Sequence, residues 1–176
     1  MWNATLAWTL CCLGREDDAR AIVDEAAKDA FEHVPWSRSR KIALALYADA
    51  AAQVGARDVA ARLYELIEPW CDQVPWSGVS GCAHARTYLG LLAATLGRDE
   101  LADEHFTRAI HVQEREGMLV WAARAHLGWA EALAARGERD RARDHAAQAL
   151  RLARQHGYGF IEPAASAIIE AGPATN

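Results

Sequence analysis

The sequence predicts an all-α protein, a right-handed solenoid of four helix hairpins closed by a C-terminal capping helix. Three observations predict it. A phrase of glycine, charged cluster and alanine five residues on recurs as Gly14–Ala19, Gly55–Ala60, Gly97–Ala102 and Gly137–Ala142, with glycines 41, 42 and 40 residues apart. Apolar residues between the phrases recur at helical spacing. Alanine, leucine, arginine and glutamate dominate a chain of 176 residues with only 5 prolines, a composition suited to helices. Each glycine then stops one helix in the left-handed conformation, and each charged cluster opens the next.

In order, the units are 1–34, 35–74, 75–117 and 118–157, with a capping helix over 160–171, all within a single repeat domain. The first unit pairs a helix over Trp2–Leu13 with one over Asp17–Lys28. Leu6, Leu10 and Leu13 form its first stripe and Ala19, Val23 and Ala26 the facing one. Only 13 residues precede Gly14, against some 18 in the second unit, so the array is expected to be cut at its front and to belong to a larger protein. The second unit opens with Ser37 as N-cap and buries Ile42, Leu44, Leu46, Tyr47, Ala51 and Val54. Its second helix starts near Arg57, carries Ala60, Leu63, Tyr64 and Ile67, and must end or kink at Pro69. Helices over Cys82–Leu96 and Asp99–Glu116 form the third unit, and helices over Leu119–Arg136 and Arg139–His156 the fourth. Pro163 fits the first turn of a terminal helix that Gly172-Pro173 stops, with Glu162, Ser166 and Glu170 on its outer side and Ala164, Ala165, Ile168 and Ile169 on its inner side.

A second echo links the units: Val34-Pro35-Trp36-Ser37 returns as Val74-Pro75-Trp76-Ser77. Proline forces its predecessor to be extended, so each copy reads as a rigid connector. Trp36 and Trp76 are expected to plug the gaps between stacked pairs, with ligand contact as their other use.

The net charge is −5, and residues 1–110 hold 11 basic against 16 acidic side chains. That balance lacks the footprint of direct nucleic-acid binding. The Arg-rich stretch Arg139–Arg154 interleaves with Glu138, Asp140 and Asp144, which reads as a solvated, paired face. No run approaches the roughly 20 apolar residues of a membrane span. The apolar N-terminus lacks the positive region of a signal peptide, so the chain is expected in the cytoplasm. Cys11, Cys12, Cys71 and Cys82 show no ligand spacing and read as small hydrophobes in a reducing compartment. The 7 histidines show no zinc pattern, and neither a cofactor nor a metal is expected. Carboxylates such as Glu16-Asp17-Asp18 sit at helix starts, where the helix dipole accounts for them.

Aligning the units on their glycines brings out further columns. Asn3, Leu44, Arg86 and His126 share one position; Leu6, Tyr47, Leu89 and Trp129 a second; Ala7, Ala48, Gly90 and Ala130 a third. After the glycine, Ala19/Val23, Ala60/Tyr64 and Ala102/Phe106 repeat an alanine followed four residues later by a larger residue. This resembles the tetratricopeptide repeat, in which a small residue on each helix permits close approach. The period of 40–42 exceeds the 34 of the standard repeat and looks like that of the C-terminal repeat regions of large bacterial regulators. Those proteins carry cyclase, AAA-type ATPase or LuxR-type domains beside the repeats, and the motifs of those domains are missing from this chain.

The resemblance implies that partners bind the face lined by each unit's first helix. On that face Arg86, His126, His84, Tyr88, Arg124 and Tyr47 are the candidate partner-binding residues, with Arg86 and His126 foremost because their column is apolar at Leu44. The expected function is non-enzymatic: a protein–protein interaction scaffold in bacterial signalling or transcription regulation. It would bind a protein, a peptide or another domain of its parent, or pair with itself through its first helix. The alternatives are a small-ligand or peptide sensor with an aromatic pocket near Trp76, Trp121 and Trp129, and a helical enzyme using a histidine and a carboxylate.

Overall fold

The computed structural model describes residues 2–34, 36–37, 39–78 and 80–171. Among them the chain is all-α, with nine helices: α1 (Trp2–Cys12), α2 (Glu16–Ala27), α3 (Arg40–Gln53), α4 (Arg57–Ile67), α5 (Ala85–Thr95), α6 (Asp99–Arg115), α7 (Leu119–Ala135), α8 (Arg139–His156) and α9 (Glu162–Glu170). A 3-10 turn, Glu68–Trp70, follows α4, and Trp76 forms an isolated bridge with Gly81. None of these helices is long and apolar enough to cross a membrane.

The recurring phrase does locally what its residues dictate. Gly14, Gly55, Gly97 and Gly137 all have positive φ, as do Gly117 and Gly157. Glycine reaches that conformation without a Cβ clash. The amide after each glycine then turns back onto a carbonyl of the last helical turn, as Ala56 does onto Ala51 (2.9 Å) and Arg98 onto Ala93 (2.9 Å). This satisfies carbonyls that a helix end leaves without partners. The carboxylates that follow, Glu16-Asp17-Asp18 in α2 and Asp99-Glu100 in α6, stand in first turns.

The chain divides into two compact units, Met1–His105 and Phe106–Asn176, with the boundary inside α6. In the first, α1 packs on α2 and α3, α3 packs on α4 and α5, and α4 also meets α5. Alanines with no exposed surface, Ala7, Ala19, Ala48 and Ala60, let these helices approach, and Leu63, Ile67, Leu89 and Leu92 fill the space between. Each such leucine or isoleucine stabilises the fold by about 2 kcal/mol. Arginines tie successive pairs together. Arg20 of α2 donates to the Val54 carbonyl at the end of α3, and Arg57 of α4 donates to Thr95 (2.8 Å) and Leu96 (2.7 Å) at the end of α5. In the second unit, α7 packs on α8, and α9 lies on both. Ile161 and Ala165 complete a core with Leu127, Ala149 and Leu152.

Several expectations are corrected. In α1 the buried residues are Ala4, Ala7, Leu10 and Cys11, whereas Leu6 is 49% and Leu13 68% exposed. An apolar helix offers two possible stripes, and the close approach of α2 and α3 selects the small one. The third helix starts at Arg40 rather than Ser37; Ser37 instead supplies the carbonyl that the Arg40 amide meets. Residues 82–84 stay outside α5 because the Cys82 amide is bonded to the Pro75 carbonyl and the Ala85 amide to that of Gln73. Trp36 is 90% and Trp76 60% exposed, so they do not plug gaps; Trp36 lies under the Arg40 guanidinium, and Trp76 pairs with Gly81, where any Cβ would meet the indole at 3.2 Å. None of the four cysteines is in a disulfide; Cys11 and Cys82 are buried and Cys12 is exposed. Pro35 and Gly172-Pro173, cited above as connector and stop, lie outside the described residues.

Candidate functional site

The column containing Arg86 and His126 is where the structure places its polar interior. His84 caps the start of α5, its Nδ1 accepting from the Arg86 amide at 3.4 Å. Two residues on, the Arg86 side chain reaches into the unit and is only 8% exposed. Its Nε donates to Asp72 Oδ1 (2.8 Å), Nη2 to Cys71 Sγ (3.5 Å) and Nη1 to His105 Nδ1 (3.2 Å). Arginine can only donate, so His105 Nδ1 accepts and its Nε2 carries the proton. That nitrogen therefore donates to the Tyr64 hydroxyl oxygen, 2.8 Å away.

Burial is the largest single influence and opposes the Arg86 charge, but the Asp72 hydrogen bond and the charges of Cys71, Asp72 and Glu104 together outweigh it and hold the guanidinium pKa up. The same bond holds the Asp72 carboxyl below its ordinary range. Burial lowers the His84 pKa and raises that of Tyr64. The pair is lopsided: the Arg86 side chain is 9% exposed and that of Asp72 is 76%. A buried cation is thus neutralised by a carboxylate standing in water.

The equivalent position in the second unit holds a different arrangement. His126 Nδ1 faces His145 Nδ1 at 3.0 Å, so one nitrogen donates and the other accepts. His145 stacks on Trp129 (3.9 Å between centroids), Trp129 stacks on Phe106 (5.9 Å), and the Arg141 guanidinium lies over the indole at 5.8 Å. Burial, then His145, then Arg151 push the His126 pKa down to about 4, so this imidazole is neutral at pH 7. Glu114 is 3.8 Å from His126 Nε2, too far for a good hydrogen bond.

Of the six candidate residues, Tyr47, His84, Arg86 and Tyr88 lie in the first unit and Arg124 and His126 in the second. All but Arg124 are buried. Tyr47 packs against Phe31 (5.2 Å) and His33 (6.4 Å). The Tyr88 hydroxyl accepts from the Ala83 amide (3.2 Å). The structure joins His84 and Arg86 directly.

Sequence reasoning missed the partners Asp72, His105, Tyr64 and His145, and also the buried Asp49, which accepts from Trp8 Nε1 (3.2 Å) and Gln53 Nε2 (2.7 Å). A signal for them existed. Arg86 and His105 are 19 residues apart, as are His126 and His145, so the column of Asn3, Leu44, Arg86 and His126 has a companion in Ile22, Leu63, His105 and His145. Trp8–Asp49 and Tyr64–His105 are each separated by 41 residues, one repeat period. Among the described residues no group of three or more His, Cys, Asp or Glu could hold a metal ion. No protein-family model, no curated protein and no solved structure matches the chain.

Proposed function

We propose that the chain is a tetratricopeptide-like right-handed solenoid of four hairpins with a capping helix, serving as a non-enzymatic protein-binding scaffold. The architecture is supported by the packing of α1 on α3 and α3 on α5, the first helices of successive repeats. The polar contacts one repeat apart, Trp8–Asp49 and Tyr64–His105, add to it. The observation that carries the function is the surface. Trp2, Leu6 and Leu13 are exposed along one side of α1 and just past its end, and an apolar stripe left open in this way marks a surface that a partner covers; Trp36, Trp76 and Phe160 are exposed singly elsewhere.

In this reading Arg86 and His126 give the first-helix face its shape, while Arg124 and the exposed Asp72 meet solvent and partner. The resemblance to repeat regions of bacterial regulators makes signalling or transcription control in the cytoplasm the proposed setting. Crosslinking capture from a bacterial lysate tests the scaffold reading. The wild-type chain should recover a discrete set of proteins, and the Trp36→Ala/Trp76→Ala variant, altered only at exposed positions, should lose members of it. An Arg86→Ala/His126→Ala variant should lose others if the polar column shapes the partner face. Recovery by the wild-type chain no greater than by a heat-denatured sample would sink the scaffold reading.

A further inference from the structure

We infer that the outer face of the α1–α2 pair docks a basic amphipathic helix of a protein partner, an inference that rests on the scaffold reading above. Helix α1 contains no charged side chain. Its small stripe is buried, yet its large one, Trp2 (84% exposed), Leu6 (49%) and Leu13 (68%) just past its end, faces outward. These large side chains stand beside the exposed but uncharged Asn3, Thr5 and Thr9, so the outer side of α1 is an uncharged surface with an apolar stripe along it. Between α1 and α2 runs a cleft of about 540 Å³ whose lining includes Asn3, Leu6, Ile22, Ala26, Glu25 and Asp29. Asn3 and Ile22 are the repeat counterparts of Leu44 and Leu63, which are buried at 3% and 0% in the next unit. The position that seals later repeats is thus an open trough in this one.

Charge selects the occupant. Helix α2 carries Glu16, Asp17, Asp18, Asp24 and Glu25 against the single Arg20, whose guanidinium is turned to the Val54 carbonyl. Glu25 and Asp29 stand at the cleft itself, paired with Lys28 and His33 on exposed surface. Such surface pairs are weak, so incoming cations can replace them. The α1 helix spans about 16 Å at 1.5 Å per residue, room for three turns of a docked helix with anchors at i, i+3/i+4 and i+7. A second copy of this chain fits less well. Its basic helix, α8, already turns its apolar stripe of Ala142, Ala146, Ala149, Leu152 and Ala153 into its own core and has none left to dock.

The test uses the full chain and a fluorescent synthetic helix of about three turns, with leucines at i, i+4 and i+7 and lysines elsewhere. Its twin has glutamate for every lysine. The lysine peptide should bind at least about tenfold more tightly than the twin, and more weakly as salt rises. Leu6→Asp or Trp2→Ala should cut affinity about tenfold, with circular dichroism unchanged because both side chains are exposed. Glu25→Gln/Asp29→Asn should cost about threefold and flatten the salt dependence. Equal binding of the two peptides, or insensitivity to Leu6→Asp, overturns the inference. So does a dimer in light scattering that Leu6→Asp dissolves, because a second copy then covers the face. Captured partners lost with Trp36→Ala/Trp76→Ala but no peptide binding would overturn this site alone and leave the scaffold standing.

Discussion

Arg86–His105 in the first unit and His126–His145 in the second occupy the same two columns of the repeat, yet they solve burial in opposite ways. Arg86 keeps its charge and borrows neutrality from Asp72, whose carboxylate remains in water. His126 gives its charge up, with a pKa pushed down to about 4 by burial and its imidazole neighbour. One position, set by geometry to face inward, therefore tolerates an ion or a neutral ring according to what its neighbours supply. Before α5 that loop brings Cys71 and Asp72 to the site; beside α7 the neighbours are Trp129 and His145.

Acid should separate the two sites most strongly. The fold lowers the His126 pKa from 6.5 to about 4, so the unfolded chain takes up the proton first. Stability supplied by the neutral ring is fully present above pH 6.5 and is lost as pH falls toward 4. The shift corresponds to at most about 3 kcal/mol. In urea melts at pH 7.5, 5.5 and 4.5 the stability difference between wild type and His126→Leu should shift in the variant's favour as pH falls, by up to that amount. Parallel curves would show that the ring is not held neutral. Removal of Arg86 should leave this window unchanged.

The next largest effect tests whether the first site is worth its polarity. Arg86→Leu alone removes the donor to His105 and Cys71 and should cost about 2 kcal/mol. Adding His105→Leu recreates the Leu44/Leu63 pair of the second repeat and should recover most of that loss, as hydrophobic replacements of buried ionic groups often do. Chemical denaturation of the two single variants and the double closes the cycle. Additive losses would mean that Arg86 and His105 are stabilised separately and are not a unit.

A smaller effect probes the far end of the same chain of bonds. Tyr64→Phe deletes the hydroxyl that accepts from His105 Nε2 and should cost about 1 kcal/mol in Tm-derived stability. The ring itself, packed at 5.8 Å from His105, remains. No loss would indicate that water replaces the hydroxyl.

The helices were legible because their signals are local. Glycine stops, acidic first turns and alanine columns act within a few residues, and α2, α4, α6, α7 and α8 begin at or within one residue of their expected starts. Starts set by distant partners were not legible: the delay of α5 to Ala85 depends on the Pro75 and Gln73 carbonyls. The two polar columns were half legible. Arg86 and His126 stood out as polar where Leu44 is apolar, but their burial depends on Asp72 and His145, which lie 14 and 19 residues away. Trp36 and Leu6 were misread as core because size favours burial: packing decides which of two apolar stripes α1 turns inward, and Trp36, before the start of α3, lies under the Arg40 guanidinium instead.

The smallest effect belongs to Asp72, and its pH signature makes it the sharpest contrast with His126. Its side chain is 76% exposed, so water replaces much of what Asp72→Asn removes, and the cost should stay under about 1 kcal/mol. Because the Arg86 hydrogen bond lowers the Asp72 pKa below 3.8, its contribution is present above that value and is lost only as pH falls through the lower, folded one. Between pH 7 and 5, where His126→Leu changes the pH profile, Asp72→Asn should shift stability by a constant amount. Differential scanning calorimetry across that range distinguishes the two. A loss several times larger would mean that Arg86 cannot reach other neutralisation, and that the exposed carboxylate is the condition for a buried cation at this position.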